Sequence, residues 1–281
     1  MAEITAAMVS KLREITNAGL MDCKKALTES QGNIDAAVDI LRKRGVATAA
    51  KKAGREAKEG VISQSILPGA RVGVLAEINC ETDFVAKNES FRSFCDDIAR
   101  KLATNPSADV EADRVAAVSK IGENVKIGRH HRLEVTGNGL VAAYIHTGAK
   151  VGVLVEVGAG KEATCASEEF KQLIRDITLQ IAAASPVAVS RDNVDPAIIA
   201  KETEIATEQV KGKPPQAIAK IVEGKLDKYF QTVCLLDQGF VKNGEVTIRE
   251  HIAAVGKQLG DDLVVRRFVR FQVGEAIAPA A

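Results

Sequence analysis

Residues 60–78, GVISQSILPGARVGVLAEI, return as residues 139–157, GLVAAYIHTGAKVGVLVEV, without a gap. Gly60, Ile66, Gly69, Ala70, Val72, Gly73, Val74, Leu75 and Glu77 all recur 79 positions on. Each copy has the pattern of a β-hairpin, with PGAR and TGAK as turns and Gly69 and Gly148 at their centres. The register persists into helical stripes: Phe91, Phe94, Ile98 and Leu102 in the first copy, Phe170, Leu173, Ile177 and Ile181 in the second. RHHRLEV (129–135) is similar to RFVRFQV (267–273) and closes each unit as a further strand. A strand–strand–helix–strand plan, made twice with few residues between helix and last strand in the first copy, predicts an α+β core of two antiparallel sheets, each backed by a helix.

The two copies differ at one chemically telling place. NCETDFVAKN (79–88) aligns with GAGKEATCAS (158–167), so Thr82, Asp83 and Phe84 face Lys161, Glu162 and Ala163. A ring needed only as core filler would have an apolar counterpart of similar volume. Alanine there shows that the unit can be built without it, which points to an exposed, functional Phe84. Asp83 has a second reading as an N-cap, and the residues leave both open.

Ahead of the duplication, residues 1–45 read as three short helices. The stripes are Met8, Val9, Leu12 and Ile15; Cys23, Ala26 and Leu27; and Ile34, Ala37, Val38 and Leu41. Gly32 suits a C-terminal cap, Asn33 an N-cap, and Gly45 the end of the third helix. Leu20 and Met21 open the second helix, either as a hydrophobic staple or as an apolar patch for a partner. RKRGVATAAKKAGREAKEG follows as a basic solvated tether or helix, its charge diluted by Glu56 and Glu59.

The second copy takes a detour before its last strand. DNVDPAIIAKETEIATEQV and PQAIAKIVEGKLDKYFQTV are both helical in period, broken by KGKPP. They predict an antiparallel helical pair with a thin seam of Ile198, Ile205, Ile218, Ile221 and Val222, through which self-association stays open. Thr247 and Glu250 then have capping-box spacing, and Ile248, Ile252, Val255 and Leu259 form an inner face. His251 reads as a surface or packing residue, and Arg266, Arg267 and Arg270 as the solvated side of the last strand. The expected divisions are 1–54 for the bundle and linker, 55–138 for the first repeat, and 139–281 for the second. The hairpin covers about 187–230, and a C-terminal segment 246–281.

Chemistry-bearing motifs are missing. VGAGKEAT fails the phosphate-loop pattern at Val155 and Glu162, so direct nucleotide binding is not expected. His130 and His131 would point to opposite faces of a strand, and no nucleophile elbow or HExxH helix is present, so neither metal nor cofactor is expected. The chain therefore reads as a binding protein and not an enzyme. A net charge of +1 and 4% aromatic residues argue against nucleic acid as a partner. The odd count of 5 cysteines lacks metal-ligand spacing and reads as reduced thiols in a cytoplasmic protein. The N-terminus has no run of signal-peptide length, and no stretch reaches about 20 apolar residues, so no membrane span is expected.

Taken together, MDCKKAL, GVLAEINCETDFVAKN, KIGENV and FVRFQVGE closely resemble the bacterial elongation factor Ts family, in order and over essentially the whole chain. The resemblance implies a ubiquitin-associated-type three-helix head, a duplicated α+β core and an inserted antiparallel coiled coil. It also implies guanine nucleotide exchange on elongation factor Tu during translation elongation. On that basis Asp83 and Phe84, with Thr82 before them, match the segment that enters the partner's nucleotide domain near its magnesium site. Arg13, Leu20 and Met21 fall at head positions that touch the same domain, and His146 at a position facing the partner's third domain. Family members often carry a further C-terminal helix against the partner. A different reading, an RNA-associated adaptor of the translation machinery, would use the basic residues 42–58 and RHHR.

Overall fold

The structure is a computed structural model and describes residues 4–16, 18–212 and 214–275. The head consists of α1 (Ala6–Thr16), α2 (Leu20–Glu29) and α3 (Ile34–Lys52). The first unit is β1 (Glu59–Ile66), β2 (Val72–Cys80), a one-turn α4 (Asp83–Lys87), α5 (Glu89–Thr104), α6 (Glu111–Ile121) and β3 (Lys126–Glu134). The second opens with β4 (Gly139–Ile145), β5 (Val151–Ala159) and α7 (Glu168–Ala184). Its arm is α8 (Pro196–Glu208) and α9 (Pro215–Val233), followed by a short β6 (Gly239–Phe240) and β7 (Asn243–Thr247). It closes with α10 (Ile248–Leu259) and β8 (Leu263–Gln272). Residues 276–281 lie outside the described residues.

The expected α+β architecture is present. Two antiparallel three-stranded sheets, ordered β1–β2–β3 and β4–β5–β8, put the most apolar strand of each unit in the middle. β2 is buried on both faces: Val74, Ala76 and Ile78 face α5, whereas Leu75 enters the layer between the sheets with Ile62, Leu133, Val141, Leu154 and Phe271. β5 repeats this, with Val153, Val155 and Val157 toward α7 and Leu154 in the shared layer. Burial on both faces explains why these strands read as largely apolar runs, each interrupted by one buried glutamate, Glu77 and Glu156.

The two units exchange equivalent hydrogen bonds. Val141 N–H donates to the Ala70 carbonyl at 2.7 Å, and Ile62 N–H to the Ala149 carbonyl at 2.7 Å. Ala70 and Ala149 follow the turn glycines, and all four residues have positive φ (Gly69 +82°, Ala70 +52°, Gly148 +88°, Ala149 +57°). This left-handed tip lets each hairpin turn its carbonyl to the other sheet.

Four expectations need correction. First, α3 does not stop at Gly45. It runs on to Lys52, because Gly45 and Ala49 are buried and α3 packs along α6, where a Cβ at Gly45 would meet Ser119 Oγ at 3.0 Å. Tertiary packing outweighs the roughly 1 kcal/mol helix penalty of glycine, and one helix is shared by the head and the core.

Second, the first unit does not pass directly from its helix to its last strand. α6 intervenes, and its counterpart in the second unit is α10. Both end on a left-handed glycine, Gly122 at φ +85° and Gly260 at φ +60°, followed by an acid and then the last strand. The plan is strand–strand–helix–helix–strand, twice, with the arm inserted before the second helix of the second unit.

Third, the arm's seam is displaced by one position. Ile198 and Ile205 are 46% and 41% exposed, whereas Ala206 and Val210 are buried and Ile199, Leu226 and Tyr229 pack on Phe230 at the base. The Asp195 side chain caps α8, accepting from the amide of Ala197 at 2.8 Å.

Fourth, Arg266 and Arg267 are not simply solvated. They donate to the carboxylate of Glu156, a residue only 1% exposed, at 2.9 and 2.7 Å.

Candidate functional site

The segment that distinguishes the two units lies where β2 leaves its sheet. Cys80 is buried, and its thiol donates to the Thr82 carbonyl at 3.2 Å. Thr82 takes an extended conformation (φ −124°, ψ 154°) and caps α4, its hydroxyl accepting from Val85 N–H at 3.4 Å. The cap is therefore Thr82, not Asp83. α4 lasts one turn, and Asn88 ends it while capping α5, its side chain accepting from Ser90 and Phe91 N–H at 2.9 and 3.3 Å.

Within that turn the faces separate. Ala86 is 3% exposed and joins the core with Val85, which leaves Phe84 on the opposite side with 82% of its surface exposed. Beside it, Asp83 accepts from Lys87 Nζ at 2.6 Å, an interaction that holds the Asp83 carboxyl below the usual aspartate range. The turn offers a bare benzyl group next to a carboxylate that stays ionised. Fully burying such a ring is worth about 1.5–3 kcal/mol, so a partner's apolar recess would gain from receiving it.

The base of the turn is tied down by residues from far along the chain. Glu123, which follows the Gly122 cap of α6, accepts from the amides of Glu81 and Thr82, both at 3.0 Å through Oε2, and from the Thr82 hydroxyl at 2.6 Å through Oε1. Its neighbour Asn124 donates from its backbone amide to the Glu81 side chain at 2.5 Å and from its amide group to the Arg55 carbonyl at 2.8 Å. Lys52, the last residue of α3, donates to the Gly122 carbonyl. Sequence reasoning picked out KIGENV without assigning these roles. The available signal was the glycine–acid pair before the last strand in both units, Gly122–Glu123 and Gly260–Asp261.

The remaining site residues fall on two other surfaces. Arg13 is exposed in the last turn of α1. Leu20 and Met21 are the first two residues of α2, 55% and 60% exposed, and Ile15, the last member of the α1 apolar stripe, adds another 55%-exposed side chain. Leu20 and Met21 are thus an open patch and not a staple. Among the described residues no hydrogen bond or ion pair joins this patch to the Phe84 turn; α3 connects the two regions.

His146 stands exposed at the end of β4, its Nδ1 3.0 Å from the Tyr144 hydroxyl. It borders an apolar groove of about 310 Å³ lined by Val151, Leu179, Ala182, Ala183 and Val241. His130 and His131 are both exposed on β3, and among the described residues no group of His, Cys, Asp and Glu could hold a metal ion. No described helix is long and apolar enough to cross a membrane.

Comparison with known proteins bears on the same residues. A family model described as elongation factor TS matches residues 81–275, beginning at the turn. Curated proteins named elongation factor Ts are similar over nearly the full length. One from Nitratidesulfovibrio vulgaris is 43% identical over 279 residues (98% of this chain, 97% of the relative). One from Symbiobacterium thermophilum is 45% identical over 286 residues (99% and 94%), and one from Clostridioides difficile is 44% identical over 293 residues (99% and 95%).

Proposed function

Because the chain belongs to the elongation factor Ts family, a family of translation elongation factors, we propose that it is a guanine nucleotide exchange factor for the GTPase elongation factor Tu. It binds the GDP-loaded partner and promotes release by disturbing the partner's Mg²⁺ and phosphate contacts with Phe84 and Asp83. The observation that carries this reading is Phe84 itself: a large ring, 82% exposed on a turn anchored at its base, with alanine in its place in the other unit.

The task needs no catalytic residue. A GTPase holds its nucleotide through a phosphate loop and Mg²⁺. A protein that prefers the nucleotide-free form weakens nucleotide binding by the factor of that preference. Shifting the partner's equilibrium by about 10⁴ takes about 5.5 kcal/mol of differential binding. One ring contributes about 1.5–3 kcal/mol on burial, so Phe84 alone falls short. The head patch of Arg13, Leu20 and Met21 and the surface at His146 supply further contact, and three separated footholds on one partner make the ring's insertion effectively intramolecular.

The test is direct. The chain is mixed with elongation factor Tu carrying fluorescently labelled GDP, and release is followed by stopped flow alongside complex size. Release accelerated in proportion to added chain supports the reading; release at the partner's intrinsic rate overturns it.

A further inference from the structure

We propose that Glu123 is a positioning residue for nucleotide exchange: its carboxylate holds the turn that presents Phe84 and Asp83, and it couples that turn to the helix leading from the head. The proposal rests on the function inferred above for Phe84.

α4 is only five residues long. A single helical turn is not stable by its own hydrogen bonds, and the exposed ring makes few contacts of its own. The direction of Phe84 therefore depends on what holds the residues just before it. Three of their donors converge on one side chain: the amides of Glu81 and Thr82 and the Thr82 hydroxyl all reach Glu123, at 3.0, 3.0 and 2.6 Å. Hydrogen bonds to an ionised acceptor are about twice as strong as neutral ones. The Thr82 hydroxyl, pinned by donating to Glu123, presents its lone pair to the Val85 amide and starts α4.

Glu123 is itself held in place. It follows Gly122, the left-handed cap of α6, and α6 packs against α3. Gly122 accepts from Lys52 at the end of α3, and Asn124 binds the carbonyl of Arg55. A continuous set of contacts therefore runs from the head helix to the base of the Phe84 turn.

The second unit contains the same anchor without the ring. Asp261, after Gly260, accepts from the Lys161 amide at 3.0 Å and from the Thr164 hydroxyl at 2.6 Å. A carboxylate ahead of the last strand thus binds the loop after the middle strand in both units, but only the first loop carries an exposed aromatic. Asp261 is an internal control for the purely structural contribution of such an anchor.

The experiment measures labelled-GDP release from elongation factor Tu across a concentration series of the full chain and its variants, with thermal melts of each. Glu123→Ala should lower the maximal release rate about tenfold or more, as expected for misplacing a working group, with a much smaller change in the half-saturating concentration. Glu123→Gln should restore most of the rate, because its carbonyl can still accept from both amides and its NH₂ can donate to Thr82. In a Phe84→Ala background Glu123→Ala should cost clearly less than it does in the parent chain, since the ring is no longer there to misplace and only Asp83 is left to be displaced. Asp261→Ala should lower the melting temperature much as Glu123→Ala does and leave exchange at the parental rate.

A slow Phe84→Ala combined with a parental-rate Glu123→Ala would overturn the positioning role and leave the exchange reading standing. Full additivity of the two substitutions, or equal slowing by Asp261→Ala, would also overturn it. A parental-rate Phe84→Ala would remove the wedge reading and this proposal together.

Discussion

Arg267 donates from Nε to the buried carboxylate of Glu156 at 2.7 Å, and this pair is a copy of the one between Arg129 and Glu77 at 2.9 Å. Each arginine also crosses to the other unit: Arg129 reaches the Gln272 carbonyl at 3.1 Å, and Arg267 the Glu134 carbonyl at 2.9 Å. Both glutamates sit where the third strand bulges, near Ala76–Ile78 in β2 and Glu156–Val157 in β5. The bulge admits an extra residue opposite the buried acid and redirects side chains toward it. The copies differ in one compensating exchange. Asn79 donates to Glu77 at 2.9 Å beside Gly128 in the first unit, whereas Arg266 donates to Glu156 at 2.9 Å over Gly158 in the second.

The paired acid gives stability a pH dependence. Burial pushes the Glu156 carboxyl up, but hydrogen bonds from Arg266, Arg267 and the Thr136 amide outweigh it and hold the group below the usual glutamate range. A carboxylate with a depressed folded value contributes stability in full above its unfolded value of about 4.3 and loses it as pH falls through the folded value. Urea midpoints measured from pH 7 down to pH 3 should decline below about pH 4.3. Glu156→Gln should flatten part of that decline and lower stability at pH 7 by about 3 kcal/mol, because two arginines lose their counter-charge. An unchanged acid limb in the variant would count against this role.

Packing between the sheets makes glycine substitutions strongly dependent on position. A Cβ at Gly73 would lie 2.5 Å from Ile66 Cδ1 and 2.7 Å from Val141 Cγ1, and one at Gly152 2.5 Å from Ile62 Cγ2 and 2.9 Å from Leu75 Cδ1. Gly73→Ala and Gly152→Ala should each destabilise the core by about 1–3 kcal/mol. Gly224, exposed within α9 with nothing within 4 Å, should behave oppositely. Gly224→Ala should stabilise the arm by about 0.5–1 kcal/mol. Denaturation monitored separately in the core and the arm decides both.

On the proposed function, Phe84→Ala should separate exchange from folding. The ring contributes almost no core contact, so the melting curve should move by less than about 0.5 kcal/mol. Complex formation with elongation factor Tu should largely persist through the other surfaces, while maximal GDP release falls about tenfold or more, matching the burial energy of the ring. A variant that binds and releases at parental rates would remove Phe84 from the mechanism.

The thiols should divide into one reactive and four protected groups. Cys165 is partly exposed, and Cys23, Cys80, Cys95 and Cys234 are buried. Burial, reinforced by the nearby Glu123 carboxylate, pushes the Cys80 thiol up to about 11, and burial likewise raises Cys95 and Cys234. The thiolate is the reactive form, so Ellman's reagent at pH 8 should find one fast thiol in the native chain and all five after denaturation. A second fast group without unfolding would show that one of the buried sites opens readily.

Much of the architecture could be read locally. The hairpins carry alternation and turn residues, α5 and α7 carry stripes at helical spacing, and Asn33 and the Thr247–Glu250 pair carry their caps, confirmed by bonds to Ala36 N–H and between Thr247 and Glu250. Phe84 could be singled out because the chain contains its own control, Ala163. The equivalence of α6 and α10 could not be read, because the arm breaks the repeat's register and their surfaces face different neighbours. The length of α3 was also hidden, since Gly45 favours an end until α6 covers it.

By itself, then, the amino-acid order determined the elements, through patterns two to four positions apart, and the duplication with its odd residue out, through direct comparison of two aligned stretches 79 positions apart. Tertiary structure alone decided that Glu123 grips Thr82, that Arg266 replaces Asn79 as the partner of a buried acid, and that the two sheets share one apolar layer. Those contacts join residues 41 to more than 100 positions apart. Local propensity carries no information about such pairs; they form only when two packed surfaces bring a donor and an acceptor together away from water.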